Sequence, residues 1–172
     1  CSHSHSAGVF ESNRYELPGG NLIEPYLNDV AKTIGELTSK ALANLSPATF
    51  TYSAGHCGMA SNRDFYDETN KLYATGHNPN KIIENPLTVV RVCSETETPV
   101  LYIVHYGCHP TTLSWDNSLI SPDFIGSLRE TIQEVTGSLC CYFQAPCGDI
   151  GPREGFVGDP TVADRNGKQV AH

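Results

Sequence analysis

Residues 87–107 read LTVVRVCSETETPVLYIVHYG. Two runs of β-branched and aromatic residues, 87–94 and 99–107, flank the turn-like ETET. That pattern predicts an antiparallel hairpin whose second strand is largely buried. Downstream, SPDFIGSLRETIQEVTG (121–137) offers Ser121 as an N-cap, Pro122 at the first helical position and Asp123 near the positive helix end. Gly137 supplies the stop, and apolar residues at 124, 125, 128, 132 and 135 form one stripe. SLCCYFQA (138–145) resumes an apolar strand, PCGDIGPREGFVGD (146–159) is a glycine-rich loop, and PTVADRNGKQVA (160–171) begins a further helix.

Upstream, residues 1–21 are rich in Ser, Gly, Asn and Pro and read as a strand end running into a loop. Over 22–45 apolar residues recur at three- and four-residue steps, with Pro25 in the first turn, which predicts a helix. ATFTYSAGH (48–56) alternates as a short strand does. The next 30 residues, 57–86, are polar and turn-rich, and a connection of that length is usually functional or mobile. The predicted order is helix, strand, hairpin, helix, strand, helix: a mixed α/β chain without an internal repeat.

Composition narrows the function. The 172 residues carry 11 Lys+Arg against 19 Asp+Glu, a formal net charge of −8, which argues against a nucleic-acid or anionic-membrane surface. The 39% hydrophobic and 17% charged content is that of a globular chain, and the length suits a single core over 1–172. No run approaches the 18 or more apolar residues of a membrane span. The chain opens on Cys1, its only methionine is Met59, and it stops at His172 within a helical pattern, so a piece of a larger domain is expected. Seven cysteines, odd in number and without CxxC spacing, predict no disulfide framework and leave room for one bridge.

Chemistry-bearing residues fall in four places. In SHSH, His3 and His5 lie two apart, so in extended backbone both imidazoles leave the same face, a metal-ligand spacing whose plain alternative is a solvated polar segment. His109 follows the strand ending at 106, with Pro110 holding it extended; the alternative is a core histidine bonded to backbone, a description that suits His105, inside the strand, better. The 146–159 loop carries Asp149 and Arg153 among glycines whose N–H groups suit an anion or oxyanion; its alternative is a tight turn with a surface ion pair. Arg63, in the long polar loop, reads by itself as solvated, and Asp116, Asn117 and Asp123 read as turn and cap residues. No GxSxG elbow, Walker loop, HExxH helix or GxGxxG is present.

Taken together, SHSHS, the NR pair, YGCHPTTL, NSLISPDFIGSLRETI and FQAPCGDIGPRE resemble, in order and spacing, the neutral/alkaline ceramidase family in its N-terminal catalytic domain. The match runs from His3 to about Ala171 and is most specific over 100–159. The resemblance implies mixed β-sheets in a layered sandwich with helices outside, and a place in the middle of a larger catalytic domain. It implies zinc held by His3 and His109, with a Glu and a Tyr ligand further downstream that have no matching position before His172. His5 and Arg63 would face substrate and stabilise the amide oxygen. Zinc lowers the pKa of its bound water to about 7 and polarises a carbonyl, and the resemblance implies a zinc-dependent amidohydrolase acting on N-acyl sphingosine or a related N-acyl lipid.

One position departs from the pattern. The family serine after the GD-V/I pair, in the substrate-binding part of the site, is Gly151 here, and glycine supplies no hydroxyl. A metal–water mechanism survives that loss. The alternatives it opens are hydrolysis of a different, non-lipid amide or ester, and ligand binding without turnover. Family members are secreted or membrane-associated, and the cysteines equally permit an intracellular home.

Overall fold

The structure is a computed structural model that describes residues 2–172; Cys1, one of the seven cysteines, lies outside the described residues. The chain forms two compact units, one of Gly8–Pro47 and one of Ala48–His172 together with the segment that ends at Ala7. The first is dominated by helix α1 (Ile23–Ala43), within two residues of the predicted span at each end. Glu24 in its first turn and Lys40 in its last complement the helix dipole, and Phe10 stacks on Tyr26, ring centroids 5.1 Å apart.

In the second unit the predicted hairpin is the centre of a four-stranded mixed sheet. Strand β1 (Ala48–His56) pairs antiparallel with β5 (Pro86–Ser94), and β5 pairs antiparallel with β6 (Pro99–Tyr106). β6 then runs parallel to β7 (Leu139–Gln144), with Leu101 opposite Leu139 and Tyr106 opposite Gln144. A parallel neighbour needs a crossover, supplied by α2 (Phe124–Thr136). α2 buries Phe124, Ile125 and Leu128 against β7 and against α3 (Pro160–Ala171), from which Val162, Ala163 and Val170 are buried.

Burial along β6 and β7 alternates. Val104, Tyr106, Cys140 and Tyr142 are buried, whereas His105, Cys141 and Phe143 are exposed. β6 is therefore half-buried, because helices cover one face of the sheet. His105 corrects the reading of it as a core histidine: it stands on the open face, in register with Thr88 and Phe143.

The segment 57–86 is not a plain loop. It contains β2 (Ala60–Asn62), β3 (Asp64–Asp67) and β4 (Leu72–Thr75); β3 and β4 form a hairpin, and β2 pairs with β8 (Ile150–Pro152) inside the expected glycine-rich loop. Strands of three or four residues carry too few positions for alternation to register, and the partner of β2 lies about 90 residues away.

The start of α2 also differs. Asp123, at φ 56° and ψ −151°, is the N-cap in place of Ser121. Its Oδ1 accepts from the Phe124 N–H at 2.7 Å and its Oδ2 from the Leu113 N–H at 2.9 Å. Those two bonds hold a backbone conformation that costs a non-glycine residue about 1–3 kcal/mol. Asp123 thus caps as expected, and Asn117 builds the expected turn, its Oδ1 accepting from the Leu119 N–H at 3.2 Å. Cys57, Cys93, Cys108, Cys140, Cys141 and Cys147 are free thiols, so no disulfide joins the described residues.

α2 and α3 meet at Gly167, where an added Cβ would collide with the Phe124 carbonyl oxygen and lie 2.7 Å from the Leu128 nitrogen. Gly167→Ala should therefore lower unfolding stability by about 1–3 kcal/mol, as overpacking does, in a urea titration followed by circular dichroism. An unchanged midpoint would show that the helices do not cross there.

Candidate metal centre

Two segments distant in sequence bring three histidines to one point. β6 ends at Tyr106, and Gly107 is clamped by Asn85, whose Nδ2 donates to the Gly107 carbonyl at 2.8 Å while its Oδ1 accepts from the Gly107 N–H at 3.2 Å. A Cβ at Gly107 would sit 2.5 Å from the Pro146 carbonyl, so glycine is required for the β6 and β7 exits to run this close. Two residues on, the His109 N–H donates to the Ile150 carbonyl at 3.0 Å and its Nδ1 lies 2.7 Å from the Cys147 carbonyl. A carbonyl only accepts, so Nδ1 carries the proton and Nε2 presents a lone pair.

The N-terminal segment arrives as a short bridge to Ser121. The Ser121 N–H donates to the Ser6 carbonyl at 2.9 Å, and Ser4 Oγ donates to the Ser121 carbonyl at 2.8 Å. With the serines engaged there, His3 and His5 turn to His109. His3 Nε2 stands 3.1 Å from His109 Nε2 and 3.3 Å from His5 Nε2. Ligand atoms of all three lie within 4.8 Å of one another. His3 adopts φ 58°, a left-handed backbone that a non-glycine residue holds only at a cost.

Arg63 completes the cluster. Its N–H donates to the Asp149 carbonyl at 2.8 Å, its Nε to the Gly148 carbonyl at 3.0 Å, and its Nη2 lies 3.3 Å from His109 Nε2. The solvated alternative is thus displaced, since β2 and β8 together aim the guanidinium. Gly151 lies against the same side chain, where an added Cβ would come within 3.3 Å of Arg63 Cδ. Asn62, unassigned in the sequence, is fully buried and donates from Nδ2 to Asp149 Oδ2 at 2.9 Å. A polar residue adjoining the arginine of NR was the available signal. Asp149 does not pair with Arg153; it pairs with Lys81 at 3.3 Å, and Arg153 lines a different cavity, with His56 and His77.

The donor set fits a zinc-sized cation. Imidazole nitrogens are zinc ligands at about 2.0–2.1 Å, and two corners of a tetrahedron of that size are about 3.4 Å apart. The 3.1 Å between the Nε2 atoms of His3 and His109 is close to that edge. Loss of surrounding water, then the neighbouring His3 and Arg63 charges, hold the His5 pKa below its ordinary 6.5 against a smaller opposite pull from Asp123. Burial is the chief cause of the same shift at His109, partly opposed by the bond to Cys147 and reinforced by Arg63. A lowered pKa favours the neutral ring, the state in which an imidazole such as His109 binds a metal. Beside the cluster opens a cavity of about 420 Å³, lined by His5, Thr111, Trp115, Leu119, Ile120 and Phe156 among others.

No protein-family model matches the chain, and no curated protein matches it in sequence. Solved structures do. A ceramidase complexed with C2 superposes with a TM-score of 0.60 at 19% identity, over 77% of this chain and 22% of that one. A neutral ceramidase from Pseudomonas aeruginosa superposes with a TM-score of 0.60 at 18% identity, over 78% of this chain and 23% of that one. The fold is ceramidase-like, and the chain spans less than a quarter of either neighbour's length.

The lowered pKa values of His5 and His109 make stability depend on pH. The unfolded chain binds these protons first, near pH 6.5, so the stabilisation is fully present above about 6.5 and is lost as pH falls through the lower folded values. The urea midpoint of the metal-free protein should fall on acidification below about pH 6.5, and the double variant His5→Gln/His109→Gln should flatten that fall. Equal slopes in the two proteins would contradict the assignment.

Proposed function

We propose that this chain contributes to the catalytic site of a zinc-dependent hydrolase of ceramidase type, in which His3 and His109 hold the metal. The observation that carries the reading is the meeting of the His3 and His109 Nε2 atoms at 3.1 Å beside the Arg63 guanidinium. Zinc there supplies Lewis acidity and a nucleophile at neutral pH. The remaining work falls to the chain. The Cys147 carbonyl keeps His109 in the Nδ1-protonated tautomer, as a ligand histidine requires. Arg63, held by the Gly148 and Asp149 carbonyls, presents its remaining N–H groups toward the point where a carbonyl oxygen gains charge. His5 lines the cavity, which His3 and His109 do not, and this favours it as the residue that faces substrate.

The substrate class is an amide with an apolar chain, N-acyl sphingosine or a related N-acyl lipid. Support comes from the ceramidase neighbours and from the exposed Trp115, Leu119 and Ile120 bordering the cavity, apolar surface of the kind an acyl chain covers. Gly151 favours a second reading within the same chemistry. With no side chain there, no hydroxyl reaches the reacting group from β8, and a different amide or ester is then the substrate.

Elemental analysis of the purified protein should find about one zinc per chain, as one site requires. The metal should be lost in a folded His3→Ala/His109→Ala variant and retained in His5→Ala. A wild type that stays metal-free after zinc is supplied would refute the site. With zinc bound, hydrolysis of an N-acyl lipid should exceed that of a water-soluble amide and should stop on chelation. Arg63→Ala should lower kcat/KM by about 10²–10³, the loss typical of an oxyanion donor, without releasing zinc. An unchanged kcat/KM would remove Arg63 from catalysis.

A further inference from the structure

The segment 57–86 builds a second cavity that the hydrolase reading does not use. It has a volume of about 390 Å³, and its walls include His56, Ser61, His77, Lys81 and Arg153. The chain carries 19 acidic residues against 11 basic ones, yet two of the basic residues and two of the seven histidines line this hollow and no carboxylate does. The polar groups are held in place. Ser61, buried on β2, sets its Oγ 2.9 Å from His77 Nδ1, a bond that orients the ring and leaves its Nε2 for a ligand. Arg153 is tied at its backbone, its N–H donating to the Met59 carbonyl at 2.8 Å, and its guanidinium forms no ion pair among the described residues. Lys81 is anchored by Asp149 at 3.3 Å and Asp64 at 3.7 Å, neither of which lines the cavity.

A guanidinium fork, an ammonium and an imidazole N–H are all donors, and together they match an oxyanion carrying more than one negative charge. We propose that this cavity binds a phosphate group, either free or as the monoester of a small molecule. Ile82 and Ile83 at its edge offer apolar surface to the carbon part of an ester. The site is separate from the histidine cluster and does not depend on zinc.

The test is calorimetric titration of the zinc-free, full-length protein with inorganic phosphate, with glycerol 3-phosphate and with succinate, with the histidine ring resonances followed by NMR. Saturable phosphate binding that shifts His77 and leaves His3 and His5 unmoved is the expected result. Arg153→Gln should weaken it by about tenfold or more, as loss of a charge-assisted pair does. Lys81→Gln, a second exposed position, should weaken it too, whereas Arg165→Gln and His3→Ala/His109→Ala should leave it intact. Tighter binding of glycerol 3-phosphate would assign the site to a monoester, and equal binding to free phosphate. The proposal is overturned by absence of saturable phosphate binding, by binding of succinate alone, or by phosphate binding that survives Arg153→Gln and disappears with the histidines.

Discussion

The contact on which the site depends is the pair of bonds between His109 and the chain after β7: its backbone N–H to the Ile150 carbonyl and its Nδ1–H to the Cys147 carbonyl. They fix at once where the β6 exit lies, which imidazole nitrogen is free, and where it points. Because β6 and β7 are parallel, both strands deliver their exits at the same end of the sheet, and the loops beyond them must meet there. Gly107 permits the approach and Asn85 locks it by occupying both backbone groups of that glycine. A ligand ring bonded to a carbonyl behind it is oriented before any metal arrives, and this preorganisation raises affinity without a new contact.

The β7–β8 loop holds four residues from elsewhere in the chain. Gly148 and Asp149 receive Arg63 through their carbonyls, the Asp149 carboxylate receives Asn62 and Lys81, and Cys147 receives His109. One short segment therefore sets the spacing between the guanidinium and His109. Among the described residues five non-glycine residues have positive φ, and two of them, His3 and Asp123, belong to the segments that build this site. Asp123 retains that conformation because its carboxylate is bonded twice, once to its own helix and once to Leu113.

The hairpin, both long helices and the last strand were legible because each presents enough residues for a periodic pattern to emerge. The segment 57–86 was not, since β2, β3 and β4 are too short for alternation and are specified by pairing and by buried polar groups such as Asn62. His105 was misjudged for a related reason: a run of β-branched and aromatic residues does not say whether one face of the sheet or both will be covered. The HxH spacing of His3 and His5 did say that both rings leave one face, and the structure brings them together. Arg63 was named through resemblance alone, as nothing local distinguishes it from a solvated arginine. The Cys147 carbonyl and Asn62 had no name at all, because a backbone acceptor has no residue type and a buried asparagine looks like a loop asparagine.

Sequence by itself determined the α/β class, the order of the long elements and the residue types able to bind a metal, since periodicity and side-chain chemistry are local properties. Only the tertiary structure decided that His3, His5, Arg63 and His109 meet, which tautomer His109 holds, and that Ser61, His77, Lys81 and Arg153 border one cavity. Each of those facts is a distance between segments separated by tens of residues, set by the parallel pairing of β6 with β7 and the pairing of β2 with β8, and no local pattern encodes such a distance.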